Sequence, residues 1–459
     1  MMAAGSSPAS RRDRDSGDLM RSPDDTEALV AVTAAAEAAR QAARDLRSQP
    51  AETLDEALRT MSARLERCAA RVAAANEEDV RSARADGSPS ALIDRLLLGE
   101  DRMRAMSGQL RTLAGLPPVP VRRYLRDLPG NLVLHEWHRP VGVIGANFEA
   151  RPNVVLDIAS QLIKSRNAGV LRTGSAALRS AGVLIDEVVA PAMRDAGIDP
   201  QVIQLIRVRG RSAAYELVRQ PRLVPLVILR GSGASTRALA REAAQHGVRT
   251  LAHADGGAVI YIDQSADRQL AQRLIEASLD RLGVCNRLNL LLVQRPAWQE
   301  MVPRIAEITA RLGIATSYPP HAHALGHEWA LDTGKEATIT VGPAAGAAEA
   351  AEIANQQTSG LAAAVIAEDP AAAGRFLDAY AGAGAFWNST PRLLDGFKLL
   401  SIPETGINIE ASPGPRGPVT FLDLHLRQYV ITPKAAGPGT PQPPESVVLG
   451  ADAGAISVA

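Results

Sequence analysis

The feature that most limits what this chain can fold into is an alternation of apolar runs and amphipathic stretches between residues 140 and 382. VGVIGAN, AGVLRT, VIQLIRV, LVPLVILR and the stretch ending GGAVIYID are short and apolar throughout, as strands buried on both faces are. Between them lie segments of helical period: PNVVLDIASQLIKSR, opened by Pro152, then SAALRSAGVLIDEVVAPAMRDAG, and helices near 211–219 and 234–246. A second round follows, with helix 266–281, strand LNLLLVQ, helix 297–311, strand AAAVIAED and helix 370–382. Strands joined by crossover helices run parallel. The expected fold class is therefore α/β, with two doubly wound parallel-sheet domains.

The flanks read differently. Thr26 to Ala85 carries two Ala-rich helices with apolar residues at three-to-four spacing, and Cys68 sits inside the second as a small core residue. Residues 119–139 hold two extended segments around a Pro-Gly-Asn turn, which predicts a hairpin, and LDLHLRQYVIT (422–432) reads as a further strand. The resulting division has five parts. A first α/β unit takes 26–118 and 140–258, a second takes 259–418, and a β element takes 119–139 and 419–434. Residues 1–25 form a disordered extension and 435–459 a flexible tail rich in Pro, Gly and Ala.

Composition excludes several function classes. Lys plus Arg equals Asp plus Glu at 50 each, so no global field draws the chain to nucleic acid or an anionic membrane. The N-terminus lacks an apolar signal segment, and no run is long and apolar enough to span a bilayer. The two cysteines lie too far apart in sequence for a secreted disulfide framework, so a cytoplasmic protein is expected. His321, His323 and His327 crowd together in PPHAHALGHE. His323 and His327 have the spacing of ligands on one helix face, but two prolines and Gly326 break such a helix. The expectation is a polar loop, with no metal.

Three segments carry candidate chemistry. There is no GxGxxG. Arg230-Gly231-Ser232-Gly233-Ala234-Ser235 follows an apolar strand and opens a helix, where small residues admit a phosphate to backbone N–H groups. Leu171-Arg172-Thr173-Gly174-Ser175 also ends a strand, so both loops are expected at one crevice, with Arg172 as a cation for ribose or phosphate. Cys285 lies between a helix and a strand in Leu282-Gly283-Val284-Cys285-Asn286-Arg287, a loop position that keeps a thiol accessible. Taken singly, each has a plain structural reading as a turn, an exposed arginine or a packed cysteine.

Taken together, seven ordered segments resemble the γ-glutamyl phosphate reductase family of the aldehyde dehydrogenase superfamily. They are SALIDRLLLGEDRM, RPVGVIGANFEARPNV, LRGSGAS, HADGGAVIYID, GVCNRLNLLLV, FWNSTPRLLDG and PRGP, spread over about residues 30 to 430. The resemblance implies that Cys285 is the nucleophile forming a thioacyl enzyme. It implies that Asn147 and the Cys285 backbone N–H are oxyanion donors. Gly231 and Ser232 fall in the diphosphate loop, and Glu404, in Ile402-Pro403-Glu404-Thr405-Gly406, matches the residue that holds the nicotinamide ribose. Glu149, Arg151, Asn286, Asn388, Ser389 and Arg392 fall in motifs expected to meet the substrate. The resemblance further implies that Gly174 binds the cofactor and that Ser175 lies at its ribose. Ser175 stands where a cofactor-selecting Glu or Lys is usual, and with Arg172 nearby NADP(H) is favoured. The paired β segments resemble the oligomerisation element of the superfamily, which implies a homodimer or homotetramer.

The hydrolytic base of aldehyde dehydrogenases would fall on Ala254. A positioned base is worth ~10²–10⁴-fold, so the resemblance implies reduction of an acyl phosphate rather than hydrolysis of a thioester. Three positions depart from the reductase pattern: Asn289 in place of a Glu, the Ser359–Ala364 stretch, and Pro391. They leave open a reductase of acyl-CoA or carrier-bound thioesters, or a non-catalytic scaffold.

Overall fold

The computed structural model describes residues 22–434 apart from Ser232, Ala254 and Pro413, so the extension before Ser22, the tail after Lys434 and the readings of Ser232 and Ala254 lie outside the described residues. The first helix begins at Pro23, inside the stretch expected to be disordered. Ser22 caps it by accepting from Asp25 N–H at 3.2 Å, and Pro23 supplies a preset φ at the first position.

Two parallel sheets form the body. The strands of the first are β3 (Val143–Phe148), β4 (Ala168–Thr173), β5 (Ile203–Ile206), β6 (Leu226–Arg230) and β7 (Arg249–His253), in the order β5-β4-β3-β6-β7. Those of the second are β8 (Ala258–Ile262), β9 (Leu288–Gln294), β10 (Ala315–Ser317), β11 (Thr338–Ala344), β12 (Ala362–Ile366) and β13 (Gly384–Trp387), in the order β10-β11-β9-β8-β12-β13. Every strand pair in both is parallel. The strands β3, β4 and β8 are buried at every position, as helices on both faces require. A hairpin of β1 (Arg122–Leu128) and β2 (Leu132–Pro140) turns through Gly130 and Asn131, both at positive φ. Its third strand, β16 (His425–Pro433), pairs antiparallel with β2, while β14 (Gly406–Asn408) and β15 (Gly417–Val419) form a separate ribbon.

The N-terminal helices Pro23–Leu46, Ala51–Ala85 and Glu100–Gly115 share one hydrophobic core with the five-stranded sheet, and Cys68 is buried in it. The two faces of the six-stranded sheet each have their own cluster, one centred on Ile260, Leu291 and Ile339, the other on Tyr261, Phe376 and Leu290. Asp267 and Asp369 cap two of the covering helices by accepting from Leu270 and Ala371 N–H groups.

Two expectations are corrected. The strand ending GGAVIYID does not continue the first sheet. The chain crosses at Gly256-Gly257, where Gly257 has φ +87°, and β8 starts the second. Helix SAALRSAGVLIDEVVAPAMRDAG is not regular: it opens as a 3₁₀ turn and widens to π geometry over Leu184–Val189, just before Pro191, which has no N–H to give.

Candidate active site

In the five-stranded sheet the chain leaves β3 for β4 on one side, and β6 lies on the other. Ligands of open α/β sheets bind beyond the strand ends at such a reversal. There the structure has a crevice of about 310 Å³, walled by Phe148, Glu149, Arg151, Arg230 and Gly231 from one sheet and by Cys285 and Glu328 from the other side.

Cys285 is half-buried on a loop that precedes β9. Its carbonyl accepts from Gly257 N–H at 2.8 Å. A Cβ on Gly256 would lie 2.7 Å from the Cys285 carbonyl oxygen, so only glycine lets the crossover strand pass this close. Burial pushes the thiol pKa up, and Arg151, Arg230 and Arg392 pull it back down. Arg151 is itself lowered to about 10 by burial and then by Arg230, Arg95 and Arg281, and it remains a cation at neutral pH. Arg230 is braced by donating to the Thr405 carbonyl at 2.8 Å.

Glu404 stands beside this group, half-buried, accepting from Gly396 N–H at 2.8 Å. Its pKa rises to about 7, chiefly through burial. Arg230 and the Gly396 N–H oppose the rise, and Asp395 and Cys285 add to it. Asp157, in the first turn of helix Val154–Lys164, is likewise raised to about 6 by burial against the pull of Arg230 and an Asn153 hydrogen bond of 2.9 Å.

The structure brings Cys285, Glu149, Arg151 and Gly231 together on the crevice wall and places the other expected residues around or behind it. Asn147 is not among the residues that wall the crevice beside Cys285. Alternation along β3 sends Phe148 to the crevice and Asn147 the other way, where its Oδ1 accepts from Arg172 at 3.1 Å. Arg172 is buried and also donates to the Gly210 carbonyl, so its guanidinium is engaged within the fold rather than presented at the strand end. Gly174 and Ser175 turn the chain from β4 into a 3₁₀ helix, with Ser175 exposed. Asn286 and Arg392 bond to each other, and Arg392 Nε also donates to Asp280 at 2.7 Å. They brace the Cys285 loop instead of lining the crevice. Asn388 sits at φ +48° with its amide paired to the Ala367 backbone, and Ser389 follows it on that turn, away from the crevice.

Two carboxylates on the wall escaped sequence reasoning. Glu328 packs over Gly257. Its Oε1 accepts from Ala330 N–H at 3.1 Å, and its Oε2 is buried without a hydrogen-bond partner. Burial raises its pKa. Asn289 holds it there, donating to the His327 carbonyl at 2.8 Å and accepting from Trp329 N–H at 3.2 Å. Asp255 accepts from Arg237 and leaves its Oδ1 without a partner. Only the Gly256-Gly257 pair hinted at this close packing. His323 and His327 stack edge-on against Trp329, and no group of three or more metal-ligating side chains is arranged to hold an ion among the described residues.

The residues fit a nicotinamide dinucleotide. Side-chain-free turns at Gly174 and Gly231 end the two strands that flank β3, and the 14-residue helix Gly233–His246 points its first N–H groups at the second turn.

The aldehyde dehydrogenase family model matches residues 15–323. A γ-glutamyl phosphate reductase of Roseiflexus castenholzii is 34% identical over 412 residues, covering 86% of this chain and 96% of the relative. The one from Clavibacter michiganensis is 32% identical over 410 residues, covering 86% and 92%. The crystal structure of γ-glutamyl phosphate reductase from Thermotoga maritima superposes with a TM-score of 0.80 at 25% identity, covering 87% of this chain and 98% of that one. An acetylating aldehyde dehydrogenase from Geobacillus thermoglucosidasius shares the fold at a TM-score of 0.65 and 16% identity, covering 90% and 99%. The chain is an oxidoreductase of the nicotinamide-dependent aldehyde dehydrogenase family and belongs, within it, to the γ-glutamyl phosphate reductases.

Proposed function

We propose that the chain reduces L-glutamyl 5-phosphate to glutamate 5-semialdehyde with NADPH, a step of proline biosynthesis, through a thioacyl intermediate on Cys285. The observation that carries this reading is Cys285 at the sheet reversal, opposite a wall of cations made by Arg95, Arg151 and Arg230. The Cys285 thiolate attacks the acyl carbon. A C–S bond forms, the acyl C–O bond to phosphate breaks, and the phosphate leaves with the electron pair toward the arginines. The nicotinamide, when bound, supplies hydride to the acyl carbon. Cys285 then departs as thiolate and the aldehyde is released. The Cys285 N–H is the oxyanion donor, while Asn147 acts indirectly by holding Arg172. Gly174, Ser175 and Gly231 hold the cofactor, and Glu404 holds its ribose. Glu149 and Arg151 meet the substrate.

The test is the reverse reaction with glutamate semialdehyde, phosphate and NADP⁺. NADPH formation that requires phosphate supports the reading. Activity only when coenzyme A replaces phosphate overturns it in favour of a thioester reductase.

We also infer a cytoplasmic homodimer or dimer of dimers joined through β16. This edge strand leaves Leu426 exposed on one face and Tyr429 and Ile431 on the other, each at least 55% exposed, beside an edge of unpaired backbone groups. A wild-type monomer in sedimentation at micromolar concentration would refute it.

A further inference from the structure

A second cavity lies away from the crevice, where the three-stranded sheet meets the body. It encloses about 320 Å³ between the ends of β2 and β16, the residues entering β1 and the turn after helix Val154–Lys164. Its polar walls are Arg47, Arg139, Arg166, His138 and His425, with no carboxylate among the lining side chains.

Two of the three arginines are bonded to neutral groups. Arg139 Nε donates to Gln428 Oε1 at 2.9 Å, and its guanidinium lies 4.3 Å from the Trp137 ring. Arg166 donates to the Gln49 carbonyl at 3.2 Å. Arg47 lies across the β2–β3 link, with an Nη 3.4 Å from where a Gly142 Cβ would be. None of the three makes an ion pair among the described residues. The acids nearby are already engaged or set back. Glu136 binds Arg123 at 3.1 Å and His138 at 3.2 Å. Asp55 binds Lys164 at 2.5 Å, and with Glu52 it acts on Arg166 only electrostatically. His425 is pushed down to about 4 by burial, then by His138 and Arg166, so it adds no charge at neutral pH.

Position 166 is also conformationally costly for an arginine. Its φ is +59°, a left-handed conformation that Gly or Asn adopts with less strain. Like charges gathered around a confined space repel, and a multivalent anion relieves that repulsion while accepting charge-assisted hydrogen bonds from each guanidinium. We propose that this cavity is a binding site for a small multivalent anion of phosphate or phosphoryl chemistry, separate from the catalytic crevice.

Calorimetric titration of orthophosphate into the assembled protein tests this, with glycerol phosphate as a second ligand. The variants are Arg47→Gln with Arg139→Gln, and the charge-keeping Arg47→Lys with Arg139→Lys. The crevice has its own cations, so wild type should show two classes of site. The Gln pair should lose one class, its affinity falling at least tenfold, with turnover unchanged. The Lys pair should keep it. Glycerol phosphate competing for that class identifies a phosphoryl ester as a ligand, and binding of orthophosphate alone identifies the free ion. Unchanged stoichiometry and affinity in the Gln pair, or a single class that disappears with Arg151→Gln, would overturn the proposal.

Discussion

The two walls of the crevice are built in different ways. On the five-stranded side, Glu149, Arg151, Arg230 and Gly231 sit within three residues of a strand end, where the backbone of β3 or β6 fixes their direction. On the six-stranded side, Cys285 stands on a loop before its strand, and Glu328 arrives from a segment between β10 and β11. The first wall contributes cations. The second contributes the nucleophile and a buried carboxylate that lacks a partner at Oε2. The difference separates positioning by regular structure from positioning by long-range packing: Gly256 under Cys285, Gly257 under Glu328, and Asn286 and Arg392 behind the loop.

Removing the nucleophile separates the walls most sharply. Cys285→Ala should lower turnover on the order of 10⁴-fold or more while cofactor affinity, set by the opposite wall, stays unchanged. Cys68→Ala, in the N-terminal core, should cost about 1 kcal/mol of stability and no activity. Single-turnover absorbance and a cofactor titration on both variants check this, and a fully active Cys285→Ala protein would sink the covalent mechanism.

The next test asks whether the cationic wall acts on the opposite one. Arg151 counters the rise that burial imposes on the Cys285 thiol. In Arg151→Gln the thiol pKa should climb further, moving the acid limb of the kcat/KM profile to higher pH and lowering activity at pH 7 about tenfold. A pH profile that keeps its shape would show that Arg151 serves only substrate binding.

A third test stays on the cofactor side. Ser175→Glu places an anion at the exposed turn after β4. Charges about 4 Å apart repel by ~1 kcal/mol in water and by more at lower dielectric, so the NADPH-to-NADH affinity ratio should fall about tenfold. Nicotinamide fluorescence titrations decide it, and an unchanged ratio removes position 175 from the ribose site.

The same contrast explains what was legible in the sequence. The two-unit parallel α/β class and the hairpin followed from apolar runs and turn residues, because local period reports burial directly, but the strands β10, β11 and β13 did not. Cys285, Glu149, Arg151 and Gly231 came from motif order. Asn147 also came from motif order, which does not say which face of β3 a side chain takes, and its Oδ1 accepts from Arg172. Asn286, Arg392 and Asn388 belong to the right motifs but are consumed by hydrogen bonds to each other or to backbone. Glu328 was unreadable, since its place depends on Asn289, 39 residues earlier, and on the absence of a Cβ at Gly257. The strand ending GGAVIYID looked like its predecessors, because a parallel strand carries no mark of which sheet receives it.

The smallest expected effect concerns stability rather than rate, and it tests the region where the walls meet. Glu404 is bound to Gly396 N–H and lies near both Arg230 and Cys285. Its folded pKa of about 7 exceeds the ordinary carboxylate value, chiefly because burial disfavours the charge. The folded state therefore holds a proton that the unfolded chain releases between the two values. By linkage, the contribution of Glu404 is fully present below the unfolded pKa of 4.5 and is lost as pH rises through about 7. Glu404→Gln, which stays neutral, removes this dependence. Its melting temperature relative to wild type should be lowest near pH 4 and rise steadily to pH 8, with the steepest change between pH 5 and 7. A difference that does not vary with pH would mean that the carboxylate is solvated and ionised in the folded protein. Glu404 would then lie outside the electrostatic reach of the crevice, and its assignment to the cofactor ribose would rest on motif order alone.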